Sequence, residues 1–278
     1  MKKTLRIITA VFAAAIVLVL YPFFANIYNN WLQGQRVSSY TVQVESGEEE
    51  TYAEMIEAAE AWNEELSGYI EPSYFPDGMT DSEIYESLLD PLGDGMMGYV
   101  VIPEIDVNLP IYHYTTDEIL QKGAGHMEAT ALPVGGEGTH CVITAHRGLP
   151  NAEMFTYLDK LEIGDVFYLK ILNETYAYEV IEIHTVDPDE TELLLPREGQ
   201  DLCTLLTCTP YGVNSDRLLV TGERTEYTEE EEEEILPAAK AFRGNWYLLA
   251  AAAGECIVYV VLRRRLKRQS GGGSSVGN

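Results

Sequence analysis

Asp201-Leu-Cys-Thr-Leu-Leu-Thr-Cys208-Thr-Pro-Tyr-Gly212-Val-Asn-Ser-Asp-Arg217-Leu-Leu-Val-Thr-Gly-Glu-Arg224 reads as two strands with a sharp break between them. The first is an apolar run rich in Leu and Thr that ends at Cys208. Thr209-Pro210-Tyr211-Gly212 interrupts it, because Pro210 cannot donate to a ladder and Gly212 permits a tight bend. A second strand, Arg217 to Thr221, follows at once. Antiparallel strands joined this way set Cys208 at the end of one and Arg217 at the start of the other, on the same rim of a sheet. A thiol reacts as its thiolate, which a nearby cation favours. It also needs a group to handle the leaving-group proton, most often His. His146, in Thr144-Ala-His-Arg-Gly-Leu-Pro150, sits where another apolar run, Cys141 to Ala145, gives way to Gly and Pro. Three strand ends thus carry Cys, His and Arg.

On these residues the chain resembles the sortases. Thr204-Leu-Leu-Thr-Cys208 is similar to their Thr-Leu-x-Thr-Cys signature. Thr207 to Gly212, with Asn214 and Arg217-Leu-Leu-Val220, looks like the pilus-building class C sortases. His146-Arg-Gly-Leu-Pro150 and Met97-Gly-Tyr-Val-Val-Ile-Pro103 match the same family. The resemblance covers roughly Met97 to Arg224. It implies an eight-stranded sortase-type β-barrel, mainly β with short helices, acting as a cysteine transpeptidase.

Composition sets the bounds. A chain of 278 residues holds one domain of about 150–200 residues plus appendages. Charge is sharply divided: residues 37–262 carry all 45 acids and 9 of the 18 bases. So acidic a body argues against nucleic acid, whose phosphates need a basic surface; a solvated acidic exterior needs no partner. Of the four cysteines, Cys141 and Cys203 are the only pair that spares both Cys208 and Cys256. Two strand cysteines also read as small buried hydrophobes, so that pairing is left open. No Cys/His cluster has zinc-site spacing, and neither metal nor cofactor is expected.

Along the chain, Leu5 to Ala25 is apolar and about 20 residues long, enough to cross a bilayer. Lys2, Lys3 and Arg6 place its start in the cytoplasm. A cleaved signal peptide is the competing reading, but no small-x-small site follows. We take 1–36 as the cytoplasmic start and anchor. Residues 37–96 form a helical and lid segment, with an amphipathic helix over 50–67. In class C sortases this region carries a lid with an Asp-Pro-aromatic anchor in the cleft. The resemblance therefore makes Glu71-Pro72-Ser73-Tyr74 the nearest match, with Glu71, Pro72 and Tyr74 as lid residues; a plain connecting loop is the alternative. The catalytic barrel spans 97–226, with strands Tyr99–Ile102, Ile105–Ile111, one after Gly123, Thr139–Ala145, Asp165–Leu172, Thr175–Val186 and the final pair. Thr115 and Thr116 open one short helix, and Asn151 caps another reaching Leu158.

The glutamate run Glu229–Glu234 makes 227–245 an acidic linker. Trp246 to Leu262 is a second apolar stretch of about 17 residues, followed by the basic Arg263–Arg268, so 246–268 reads as a second transmembrane helix and stop-transfer signal. Glu255 is costly in lipid, and a peripheral helix is the alternative. The tail, 269–278, is Gly/Ser-rich and expected to be disordered. The result is a two-pass cell-membrane protein with its barrel outside.

Of five histidines, His140 and His184 lie on strands and read as structural, and His113 and His126 lie in loops near the same face. Only His146 occupies the motif position of the family's catalytic histidine. Arg217 is preferred over Arg147, which reads as an anchor of its own loop. The resemblance implies that Cys208 attacks the carbonyl after Thr in a Leu-Pro-x-Thr-Gly-like sorting signal. Arg217 then steadies the developing oxyanion and His146, as imidazolium, protonates the leaving amine. Thr207 is a further candidate for contacting the peptide. The implied partner is a pilin or other surface protein, and a pilin lysine resolves the adduct. Two rivals stand beside this: a housekeeping sortase joining proteins to peptidoglycan, and a non-catalytic scaffold that binds surface proteins.

Overall fold

The computed structural model describes residues 2–66 and 83–226, together with 254, 259–261 and 264. It divides into two units, residues 1–29 with 241–278, and residues 30–240. Glu71, Pro72 and Tyr74, expected as lid residues, lie outside the described residues, as do the expected acidic linker, most of the expected second span at 246–268 and the tail.

In the larger unit, eight strands close a barrel in the order β1-β2-β3-β4-β7-β8-β6-β5. They are β1 (Met96–Ile102), β2 (Val107–His113), β3 (Ala124–His126), β4 (Thr139–Thr144), β5 (Val166–Ile171), β6 (Glu174–Val186), β7 (Asp201–Thr209) and β8 (Asp216–Arg224). Neighbours are antiparallel except β2 with β3 and β4 with β7, which run parallel. Alternation along each strand sorts side chains into two sets. Cys141, Ile143, Cys203, Leu205, Leu218 and Val220 enter the main core. Val142, Leu206 and Leu219 point to the opposite face and form a second cluster with Met127, Val186 and Leu194. That second face carries the candidate site.

Two helices, α1 (Lys2–Glu45) and α2 (Glu49–Leu66), precede the barrel. The expected boundary between anchor and helical segment at 36/37 falls inside α1, which runs unbroken to Glu45; Val37, Tyr40 and Val44 recur at helical spacing and all enter the core. Tyr40 donates its hydroxyl to the Met97 carbonyl at 2.8 Å and accepts the Leu172 N–H at 2.8 Å. On α2, the Asn63 side chain donates to the Leu132 carbonyl (3.1 Å) and accepts its N–H (2.7 Å), closing a buried amide-to-backbone pair. Short helices α3 (Glu83–Ser87) and α4 (Asp117–Leu120) follow; Thr116 caps α4 as its sequence indicates.

The helix expected over 151–158 does not form. Met154 takes φ 45°, a left-handed value that breaks the helical run. Only a 3-10 turn, Leu158–Lys160, remains. The segment's amides serve the neighbouring loop instead, the Phe155 N–H donating to the His146 carbonyl at 3.0 Å. His113 and His126 also differ from expectation: each ends a strand, and they are register partners between β2 and β3.

In the smaller unit, the first part of α1 is apolar and exposed. Among the described residues it belongs to the one helix long and apolar enough to cross a membrane. Tyr259 stacks on Phe12 with ring centroids 4.7 Å apart, and its hydroxyl meets the Thr9 hydroxyl at 2.9 Å.

Candidate active site

The rim is built by register. In β7 and β8, Cys208 and Arg217 are direct antiparallel partners. Side chains of such partners leave the sheet on the same side, with Cβ atoms about 5 Å apart. The parallel β4–β7 ladder pairs Thr144 with Leu206. It is extended by the Ala145 N–H donating to the Leu206 carbonyl (3.2 Å) and the Thr207 hydroxyl donating to the Ala145 carbonyl (2.8 Å). One more step brings His146 level with Cys208. By alternation, Cys208 and Arg217 belong to the face of Val142, Leu206 and Leu219, and continuing the alternation two residues past the end of β4 assigns His146 to the same face. An apolar floor therefore lies directly below three half-buried polar groups.

The turn between β7 and β8 is held by the Val213 and Asn214 amides, both donating to the Pro210 carbonyl at 3.0 Å. Gly212 and Asn214 supply the left-handed residues it needs, at φ 74° and 60°. The Arg217 guanidinium donates to the Asp216 carbonyl at 3.2 Å and to the Asn214 carbonyl at 3.5 Å, which aims it along the turn. Burial holds the His146 imidazole below the ordinary histidine range, with the Asp117 carboxylate partly opposing the shift. That burial favours the neutral imidazole.

Thr207 stands apart from the other sequence candidates. It is 1% exposed on the inward face, and its hydroxyl is committed to Ala145, so it ties β7 to β4 behind the rim. Strand alternation is the signal that separates it from Cys208. His140 is buried below the site. Its Nδ1 donates to the Leu195 carbonyl (3.1 Å), which leaves Nε2 to accept from Thr204 (2.7 Å). Thr204 in turn meets Thr221 at 2.8 Å. His126 is likewise satisfied, between the Tyr85 hydroxyl (2.7 Å) and the Ala131 carbonyl (2.8 Å). His184 is exposed and pairs with Glu182. Cys141 and Cys203 are register partners on the parallel ladder, both buried and both free thiols. Among the described residues no cluster of His, Cys, Asp or Glu could hold a metal ion.

A closed eight-stranded barrel with Cys, His and Arg toward one rim holds the residue types that cysteine acyl transfer needs. Comparison with known proteins agrees: residues 100–225 match the Sortase domain. The chain is 41% identical to sortase C1 from Streptococcus agalactiae, covering 70% of this chain and 100% of that one at a TM-score of 0.65. Sortase C from Streptococcus pneumoniae is 45% identical, with 70% and 98% covered and a TM-score of 0.63. Sortase A from S. agalactiae is 29% identical over 131 residues, 46% of this chain and only 52% of that relative's length. This chain belongs to the sortase family of cysteine transpeptidases.

Proposed function

We propose that the protein is a pilin-polymerising sortase of class C, anchored in the membrane with its barrel outside. The observation that supports the chemistry is the register that levels Cys208 with Arg217, beside a β4–β7 ladder that ends two residues before His146. In this reading His146 takes the Cys208 proton, and the thiolate attacks the Thr carbonyl of a Leu-Pro-x-Thr-Gly-like signal. Arg217 faces the oxyanion that develops. The Thr–Gly bond breaks and His146 returns the proton to the departing Gly amine. A lysine amine of another pilin subunit then attacks the thioester, forming an isopeptide bond and releasing the thiol.

Support for the pilus class is the identity of 40% or more to class C neighbours, one of which is described in terms of pilin substrate specificity. The Tyr259 contacts with Thr9 and Phe12 favour two spans that lie against each other. The test is to incubate the full-length protein with a pilin subunit and sequence the cross-links by mass spectrometry. Thr–lysine isopeptide bonds are expected. Transfer only to a peptidoglycan amine supports the housekeeping class instead, and no transfer to any amine leaves only the binding scaffold.

A further inference from the structure

The residue after the candidate base touches the residue after the candidate nucleophile. Arg147 Nη1 donates to Thr209 Oγ1 at 2.9 Å, and its Nη2 pairs with Asp159 Oδ2 at 2.6 Å. The Arg147 side chain is only 7% exposed, so this charge sits at a defined place rather than sampling solvent. A loop anchor needs only the Asp159 pair, which ties the His146 loop to the 3-10 turn that follows it. The Thr209 bond goes further and crosses to the end of β7.

Around it, the backbone flanking His146 is fixed on both sides. The His146 carbonyl accepts from the Phe155 N–H at 3.0 Å, and the Gly148 N–H donates to Thr156 Oγ1 at 3.1 Å. Gly148 has φ 78°, and a Cβ there would meet the Tyr211 ring at 3.2 Å, so the loop lies against the β7–β8 turn. The regular β4–β7 ladder stops at Thr144 and Leu206, short of both reacting groups. Beyond that point the His146 loop reaches the residues after Cys208 through the Arg147–Thr209 hydrogen bond and the Gly148–Tyr211 packing. Of these, only the first is directional.

We infer that Arg147 is a positioning residue for catalysis, clamping the His146 loop to Thr209 so that imidazole and thiol keep their spacing. Arg is suited to this because its planar fork serves two acceptors at once, whereas Lys offers a single point charge. The inference rests on the proposed roles of Cys208 and His146.

Thr209→Val is the cleanest probe, since it deletes the acceptor, keeps the shape and leaves the Arg147–Asp159 pair intact. Full-length protein in detergent is assayed with a Leu-Pro-x-Thr-Gly peptide, and Cys208 alkylation by iodoacetamide is followed across pH. A loss of about 10- to 100-fold in kcat with little change in KM is expected, because small misplacement of reacting groups is felt in the chemical step. The pH dependence of alkylation should shift with it, and Thr209→Ser should restore both. Arg147→Lys should fall between, and its loss should not add to that of Thr209→Val. Unchanged kcat and an unchanged alkylation profile in a folded Thr209→Val protein would overturn the clamp. Should wild-type protein form no acyl adduct, the functional reading fails, and the alkylation profiles still decide whether Thr209 controls the thiol.

Discussion

Acidification from pH 7 to pH 4 is expected to remove roughly 3 kcal/mol of barrel stability through one side chain, His140. This imidazole is fully buried, and that burial pushes its pKa down to about 4. The Leu195 hydrogen bond and the Glu182 charge oppose the shift, and the Arg197 charge adds to it. In the unfolded chain the group titrates near its ordinary value of about 6.5. Between those two values the unfolded state binds a proton that the native state refuses, so stability is intact above about pH 6.5 and declines toward pH 4. A shift of about 2.5 units at 1.36 kcal/mol per unit gives the magnitude, a large share of the roughly 5–15 kcal/mol that holds a domain together. The cause is desolvation: the ring is sealed in the barrel between the Leu195 carbonyl and Thr204, where the charged imidazolium loses the water that stabilises it in the unfolded chain. Urea unfolding by tryptophan fluorescence, on wild type and His140→Gln at several pH values, isolates the effect. The variant is less stable at neutral pH, but its deficit shrinks by about 3 kcal/mol at pH 4. Parallel curves for the two proteins across this range would rule out His140 as the source of the acid loss.

Tyr40→Phe strands the buried Leu172 N–H and withdraws a donor from the Met97 carbonyl, and unfolding titrations should show a loss of roughly 1–3 kcal/mol for the stranded amide alone. Asp117→Asn removes the charge that supports protonation of His146, so the acid limb of the kcat/KM profile should move to lower pH; an unmoved limb, or one displaced upward, would rule out His146 as the titrating base.

The site was legible because its chemistry sits at breaks in pattern. Pro210 and Gly212 end one strand just past Cys208, and Gly148 and Pro150 end another just past His146. Reading strands up to those breaks is enough to bring both to a rim. What escaped the sequence depends on which way a side chain turns or on contacts distant in the chain. Thr207 and Cys208 are neighbours of similar local signal, yet alternation sends one inward to Ala145 and leaves the other on the site face. The helix expected over 151–158 yielded to Met154, whose left-handed backbone no residue-type preference announces. The second half of α1 lacks a strong apolar run, and its place in the fold rests on Tyr40 reaching backbone 57 and 132 residues away. The resemblance implies an imidazolium at His146 when the leaving amine is protonated. Its half-buried setting, which favours the neutral ring, appears only in three dimensions.

In the proposed mechanism Cys208 forms the acyl bond on a rim shared with His146 and Arg217. Intact-protein mass spectrometry after mixing the full chain with a Leu-Pro-x-Thr-Gly peptide tests it most directly. One added Leu-Pro-x-Thr acyl group is expected, mapped by digestion to Cys208 and absent from Cys208→Ala. An adduct that persists in Cys208→Ala, or maps to Cys141, Cys203 or Cys256, would contradict it.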